Sequence, residues 1–277
     1  LETLTLCADD YGLNSNVDDG INSLIRAGRL NAVSCMTVRN TLDAVPLLNA
    51  ITDAPIKVQV GLHLTLTEYA PLRTMPKLAK SGHFPSVGTL LAKSHFRQID
   101  RIEISAEIAR QFEAFQQAFG HTPDFVDGHQ HIQLFPGIRD EVINLMTTLM
   151  GKRKAPTAWV RCGTTPAADL IRMKSPRALL LASMARRQRE KLRNAGLSFN
   201  DRFYGVNDFN SEQPFRELMQ GWLKMVASRT TSAVIMCHPG QPGSDPADPI
   251  AKRRPDELAY LGSDEFEHDL ATYHLSL

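Results

Sequence analysis

The stretch Leu4-Thr5-Leu6-Cys7-Ala8-Asp9-Asp10-Tyr11-Gly12-Leu13-Asn14 decides how the rest of this chain is read. It opens as a short apolar run of the kind that makes a buried strand. It ends in two adjacent carboxylates, an aromatic residue and a glycine able to turn the chain. Successive side chains of a strand point to opposite faces, so Asp9 and Asp10 serve one site only where the strand breaks, and Tyr11-Gly12 supplies the break. One carboxylate can then hold a metal while its neighbour handles a proton. Taken alone, the pair reads equally well as a cap on the following helix.

Working outward, Val17, Ile21, Leu24 and Ile25 form one helical stripe that Gly28 stops, and Ala32 to Val38 is the next strand candidate. Thr41 to Ile51 can cap and run a second helix. Ile56 to Leu64 alternates and then turns continuously apolar, which puts His63 at a strand end. Further helices are expected over Ile102 to Phe119, Pro136 to Met150, Ser175 to Leu197 and Phe215 to Ser228. Further strands are expected around Phe125-Val126-Asp127, at Thr157 to Arg161 and from Thr231 to His238. In Asp127-Gly128-His129-Gln130-His131, the residues Asp127, His129 and His131 share one face if the strand continues. Strands alternating with helices predict an α/β fold with a parallel sheet or (β/α) barrel, whose sites gather at the carboxyl ends of strands.

One catalytic domain over residues 1–277 accommodates the length. It carries an excursion at about 67–94, rich in Pro, Gly, Ser and Lys, that suits a substrate loop, and a helical excursion at about 165–228. The Ser175 to Leu197 helix has a basic face (Arg186, Arg187, Arg189, Lys191, Arg193) whose ordinary meaning is a solvated surface, with a membrane or partner contact as the alternative. The tail holds one helical segment near Asp256 to Leu261.

Lys+Arg 31 against Asp+Glu 30 leaves no basic surplus for a nucleic-acid backbone, so nucleic acid is not expected as a partner. No apolar run approaches the roughly 20 residues that span a bilayer, so no transmembrane segment is expected either. Cys7, Cys35, Cys162 and Cys237 are scattered in mostly apolar runs, as reduced core thiols are, and favour a cytoplasmic location. The chain opens at Leu1 and not at methionine, which leaves room for a removed leader.

Four strand ends thus carry chemistry: Asp9 with Asp10, His63, Asp127 with His129 and His131, and His238. Each has a plain alternative, since a histidine after an apolar run is commonly a hydrogen-bonded core residue. Converging on one barrel rim, a carboxylate and two imidazoles can hold one divalent ion and leave positions open for water and substrate.

Ala8-Asp9-Asp10-Tyr11-Gly12, Gly61-Leu62-His63-Leu64, Asp127-Gly128-His129-Gln130-His131 and Cys237-His238-Pro239-Gly240 resemble, in order and approximate spacing, the YdjC-like carbohydrate deacetylases, a group that includes chitooligosaccharide and hopanoid-associated deacetylases. The resemblance is strong over Leu4 to Pro136 and Val234 to Leu261. It implies an irregular, TIM-barrel-like (β/α) barrel, a homodimer, a divalent metal usually taken as Mg²⁺, and hydrolysis of the acetyl group of an N-acetylated sugar or glycoconjugate. By position, Asp10, His63 and His129 correspond to the metal ligands, Asp9 to the general base and His238 to a second catalytic histidine. This chain departs from the common pattern at Tyr11, where phenylalanine is usual, and at Gly128, where serine is usual.

The residues agree with such chemistry. Amide hydrolysis needs an activated water, a stabilised oxyanion and a proton for the leaving amine. Asp9 can take the water's proton, and a cationic His238 can protonate the amine or steady the oxyanion. Such an acid and base predict a bell-shaped pH dependence. Asp127 and His131 are expected to support the ligands or orient substrate, with His131 a possible substitute for His129. Arg161, at another strand end, either pairs with Asp9 or is a surface cation. An Asp/His₂ site also tolerates Mn²⁺ and Zn²⁺. Two other readings are hydrolysis of another bond such as a phosphoester, with Arg161 its main support, and a non-catalytic carbohydrate-binding barrel.

Overall fold

The computed structural model describes residues 4–39, 42–151, 158–209, 212–243 and 248–277. In its first half, strands β1 (Leu4–Tyr11), β2 (Ala32–Cys35), β3 (Gln59–Leu64) and β4 (Phe125–Gly128) alternate with helices α1 (Ser15–Arg26), α2 (Ala44–Thr52), α3 (Val87–His95) and α4 (Arg101–Phe119). A 3-10 turn, His129–Leu134, follows β4 directly. Next come α5 (Ile138–Gly151), β5 (Trp159–Val160), α6 (Ala167–Met173), α7 (Pro176–Asn194), β6 (Ser198–Phe199), β7 (Arg202–Tyr204), α8 (Phe215–Ala227), β8 (Ala233–Cys237), α9 (Arg254–Leu261) and α10 (Asp264–Thr272). Thr41 and Thr157, predicted to open a helix and a strand, lie outside the described residues.

Every strand pairing is parallel, in the order β6-β5-β4-β3-β2-β1-β8-β7, and the sheet curls into an incomplete barrel covered by helices. The two end strands, β6 and β7, are consecutive in the chain, so a single run, Ser198 to Tyr204, pairs first with β5 and then with β8. Asn200 sits at the switch. Its side-chain oxygen accepts from Cys162 N at 2.7 Å, and its amide donates to the carbonyls of Cys162 and Arg202, both at 2.8 Å. A side-chain amide thereby pairs with backbone groups where the ladder is interrupted. These short strands went unread in the sequence because a two-residue strand has no periodicity to detect.

The strand interiors are largely apolar, as burial on both faces of a parallel sheet requires, with Thr5 and Ser34 as buried exceptions. The four cysteines are free and buried in this core. Phe125 stacks on Trp159 with ring centroids 4.6 Å apart. Gly61 makes room for it, since a Cβ there would meet the Phe125 ring at 2.3 Å.

The 67–94 excursion is more built than its composition predicts. It buries Met75, Leu78, Phe84 and Leu90 and contains most of α3, capped by Ser86. Carboxylates one turn apart on α4 hold it: Glu103 accepts from Lys77 N and Leu78 N, and Glu107 from Leu72 N at 3.0 Å. Gln111, a turn further on, pairs both backbone groups of Thr65, at 2.9 and 2.7 Å. The chain leaving β3 is thus fixed where it passes the rim. At the other end of the sequence the tail holds two helices, α9 and α10, where the pattern predicted one.

Candidate active site

The β1 strand breaks where its two carboxylates stand. Asp10 adopts φ 71°, a left-handed conformation rarely used by non-glycine residues, and the β1–β2 register shifts between Ala8 and Tyr11. This bulge turns the two neighbouring carboxylates to different partners. The unusual Tyr11 is accommodated, because its buried hydroxyl lies 3.4 Å from both the Asn22 amide and the Asp43 carbonyl. β3 and β4 deliver the next two groups side by side, since His63 and Asp127 are direct partners in the parallel register.

Asp10, His63 and His129 converge. Asp10 Oδ1 lies 3.3 Å from His63 Nε2 and 3.0 Å from His129 Nδ1, and the ligating atoms of the three residues all fall within 4.8 Å of one another. The opposite nitrogen of His63, Nδ1, donates to Asp127 Oδ1 at 2.7 Å, and Ser34 Oγ donates to the same oxygen at 2.5 Å. This carboxylate–imidazole pair fixes the ring so that Nε2 faces Asp10, the arrangement that orients histidine ligands in metal sites. Arg254, 1% exposed, holds the other oxygen, Asp10 Oδ2, at 2.8 Å and is itself paired with Asp248.

Asp9 points elsewhere. It receives Arg161 in a two-pronged contact, Nη1 to Oδ2 at 2.6 Å and Nη2 to Oδ1 at 2.7 Å, and Arg161 Nη2 is also 2.6 Å from Asp127 Oδ2. Arg161 is 1% exposed, so it is an internal cation and not a surface one. Cys7, Asp9 and Asp127 form a second cluster with metal-like spacing among the described residues, but Arg161 already supplies its positive charge. Burial, moreover, keeps the Cys7 thiol protonated.

His131 departs from the expected shared face. β4 ends at Gly128, and Gln130 (φ 54°) and His131 (φ 60°) turn left-handed inside the 3-10 segment. The His131 ring packs edge-on against Phe203, with centroids 5.5 Å apart, and it is not part of the Asp10 cluster. Gly128 is what allows so tight a turn. A Cβ there would sit 2.7 Å from Gln133 Oε1 and 2.8 Å from Ile132 Cγ1, so the glycine lets the turn close against β4. His238 follows β8. Its backbone N–H donates to Glu257 at 2.5 Å, its ring meets Phe209 edge-on at 5.2 Å, and its Nδ1 has no partner among the described residues.

Charge states follow from these contacts. Burial pushes the Asp9 carboxyl up, but the Arg161 charge, helped by His63, holds it down at about 2. Burial also opposes charge on Asp10, and Arg254 and the two imidazoles outweigh it, keeping that carboxyl well below the usual range. His63 is lowered by burial and raised more strongly by Asp127 and Asp10, to about 10, and a cation held there would take the place of the proton on Nε2. Burial lowers His131 to about 3, with Arg161 adding to the effect. His238 is lowered to about 4, chiefly by burial, although Asp10 and Asp9 pull the other way. Burial thus favours the neutral ring of His238 over the cationic one read from the sequence.

Sequence reasoning missed Ser34, Glu68, Tyr69, Arg254 and Glu257. Glu68 Oε2 lies 3.7 Å from His129 Nε2, and the Tyr69 ring is 5.9 Å from that of His129, so the excursion reaches the site. A signal for Arg254 existed. Arg253-Arg254 at the start of a helix opposes the macrodipole, which asks for a buried acid nearby.

Fold and site together define an α/β barrel with an acid–imidazole cluster at the carboxyl rim of its strands. The chain belongs to the YdjC-like protein family, which it matches over residues 3–272. It is 32% identical to a chitooligosaccharide deacetylase of Citrobacter koseri over 135 residues, 49% of this chain and 52% of that one. It is 24% identical to a carbohydrate deacetylase of Mus musculus over 262 residues, 88% of this chain and 80% of that one. The match thus spans about half the length of the bacterial relative. A crystal structure of a "putative cellobiose-phosphate cleavage protein" from Enterococcus faecalis V583 superposes with a TM-score of 0.69 at 19% identity, covering 99% of this chain and 95% of that one, and shares the fold.

Proposed function

We propose that the protein is a metal-dependent hydrolase that removes the acetyl group from an N-acetylated amino sugar, free or in a glycoconjugate. The observation that carries this reading is the approach of Asp10, His63 and His129 to one point, with Asp9 held apart on Arg161 beside it. The relatives named as deacetylases support the substrate class.

The donor set fits a divalent cation. One carboxylate oxygen and two imidazole nitrogens face one another, and the far side of His63 is anchored by Asp127. Asp10, His63 and His129 would hold the ion, which when bound polarises the acetyl carbonyl and lowers the pKa of water. Mg²⁺ is the first choice, with Mn²⁺ and Zn²⁺ compatible with the same donors.

The remaining steps belong to the protein. Asp9, kept ionised by Arg161, accepts a proton from the attacking water. A carboxyl this acidic retains the proton only briefly and returns it to the far more basic amine that leaves. Neutral His238 donates its ring N–H to the developing oxyanion, in place of the cationic role its position first suggested. The phosphoester alternative loses its main support, because both guanidinium prongs of Arg161 are taken by Asp9 and Asp127. The test is acetate release from short N-acetylglucosamine oligomers and glycoconjugates. The expected result is release that stops on chelation and returns with added divalent ion. Metal binding with no acetate from any such substrate contradicts the proposal and favours a binding barrel.

A further inference from the structure

Helices α6 and α7 are joined only by Lys174-Ser175, and this elbow exposes three large apolar side chains: Ile171 (75%), Leu179 (60%) and Leu180 (52%). The buried stripe of α7 is Ala178, Leu181, Ala185, Gln188 and Leu192, so Leu179 and Leu180 project from the opposite side, where a helix facing water carries polar residues. Along that outer side, Leu179 is followed at seven-residue intervals by Arg186 and Arg193, and Leu180 by Arg187, all exposed. Between Ala167 and Leu197 the chain has eight Lys or Arg against two Asp or Glu, and one of those acids, Asp169, is buried against Arg229. The whole chain carries only +1, so the basic surplus is concentrated on this hairpin and the remainder is acidic.

We propose that the α6–α7 hairpin docks on the anionic headgroup face of a phospholipid bilayer. Ile171, Leu179 and Leu180 enter the acyl boundary, and Arg186, Arg187 and Arg193 lie over the headgroup phosphates. Apolar side chains beside a basic row on one helix face are the composition that binds in the plane of an anionic interface. No described helix is long and apolar enough to cross a membrane, so the contact is peripheral. A second copy of the chain is disfavoured as occupant, because a twofold contact would set the same arginine rows against each other. Nucleic acid has no use for bare leucines at the centre of the patch.

The inner side of α7 ties this surface to the site. Gln188 Nε2 donates to the carbonyl of Arg161 at 3.2 Å and to that of Gln133, in the turn carrying His129, at 3.4 Å. A docked hairpin therefore holds the strand-end rim close to the lipid headgroups. The inference concerns where the protein works and does not depend on the bond it hydrolyses.

Cosedimentation of the full chain with vesicles tests it, using phosphatidylcholine alone and with about 30% phosphatidylglycerol. The expected result is binding to the anionic vesicles only, weakened by salt. The triple variant Arg186→Gln, Arg187→Gln, Arg193→Gln should lower partitioning on the order of a hundredfold, at roughly fivefold per lost cation. Leu179→Ser with Leu180→Ser should lower it about tenfold or more, whereas Phe96→Ser with Ile102→Ser, exposed elsewhere, should leave it unchanged. Absence of binding to anionic vesicles, equal binding to neutral ones, or undiminished binding by the leucine variant overturns the proposal. So does duplex DNA binding as tight as vesicle binding and indifferent to the leucines, or a dimer that the leucine changes abolish.

Discussion

Asp9 and Asp10 are chemically identical neighbours that the barrel sends to different tasks. Asp10, in its left-handed conformation, faces two imidazoles and Arg254, and Asp9 faces Arg161. Asp9→Asn should therefore retain the cation within a few-fold of its normal affinity while lowering kcat by about 10²–10⁴, read from acetate release and metal titration on the same preparation. Equal turnover in the two proteins contradicts the assigned base. Asp127 never reaches the proposed ion, yet it sets the His63 ring. Asp127→Asn should weaken metal affinity by about 10–100-fold, measured by competition with a chelator, and an unchanged affinity would show that His63 needs no such support. Much of this was legible, because acids and histidines at the ends of apolar runs are costly unless they meet. Ser34 was not, since a serine within a strand carries no mark of the side chain it will touch. The neutral ring that burial favours at His238 was not legible either, because burial is a property of the fold and not of the Cys237-His238-Pro239 sequence.

At the scale of elements, the site depends on strands that hold their register to within a residue. Gly61 in β3 lets the Phe125 ring of β4 lie flat on Trp159 of β5, and this stack sits two residues before His63 and Asp127. Gly61→Ala should cost about 1–3 kcal/mol through overpacking, seen as a lower urea midpoint. Gly221→Ala, in α8 with nothing within 4 Å of the added carbon, should instead stabilise by about 0.5–1 kcal/mol. Equal effects at the two glycines would contradict the packing account. The long helices were readable from their 3.6-residue stripes, and α4 covers the Ile102 to Phe119 run that its pattern indicates, ending at the left-handed Gly120. The 67–94 excursion was not readable. What orders it is a set of α4 polar groups, Glu103, Glu107 and Gln111, whose partners are backbone atoms distant in sequence.

Across the whole molecule, segments far apart in the sequence, β1 and the run from β8 to α9, meet at the site. β8 pairs with β1, and α9 brings Arg254 to Asp10 and Glu257 to the His238 amide. Burial pushes the Glu257 carboxyl from an ordinary 4.5 up to about 7, so the folded protein holds this proton more tightly than the unfolded chain. Its contribution to stability is complete below the unfolded value and is lost as pH rises through the folded one, by on the order of 3 kcal/mol. Glu257→Gln keeps an acceptor for the amide and has no proton to lose. Its Tm relative to the natural protein should therefore climb between about pH 5 and pH 8, and a difference that stays flat would contradict a buried, proton-holding Glu257. The most direct test of the central claim is the position of a bound cation, located by anomalous diffraction from crystals grown with Mn²⁺ or Zn²⁺. The account predicts one peak in contact with Asp10, His63 and His129, absent in His63→Ala. A peak on other residues, or one that survives in His63→Ala, would contradict it.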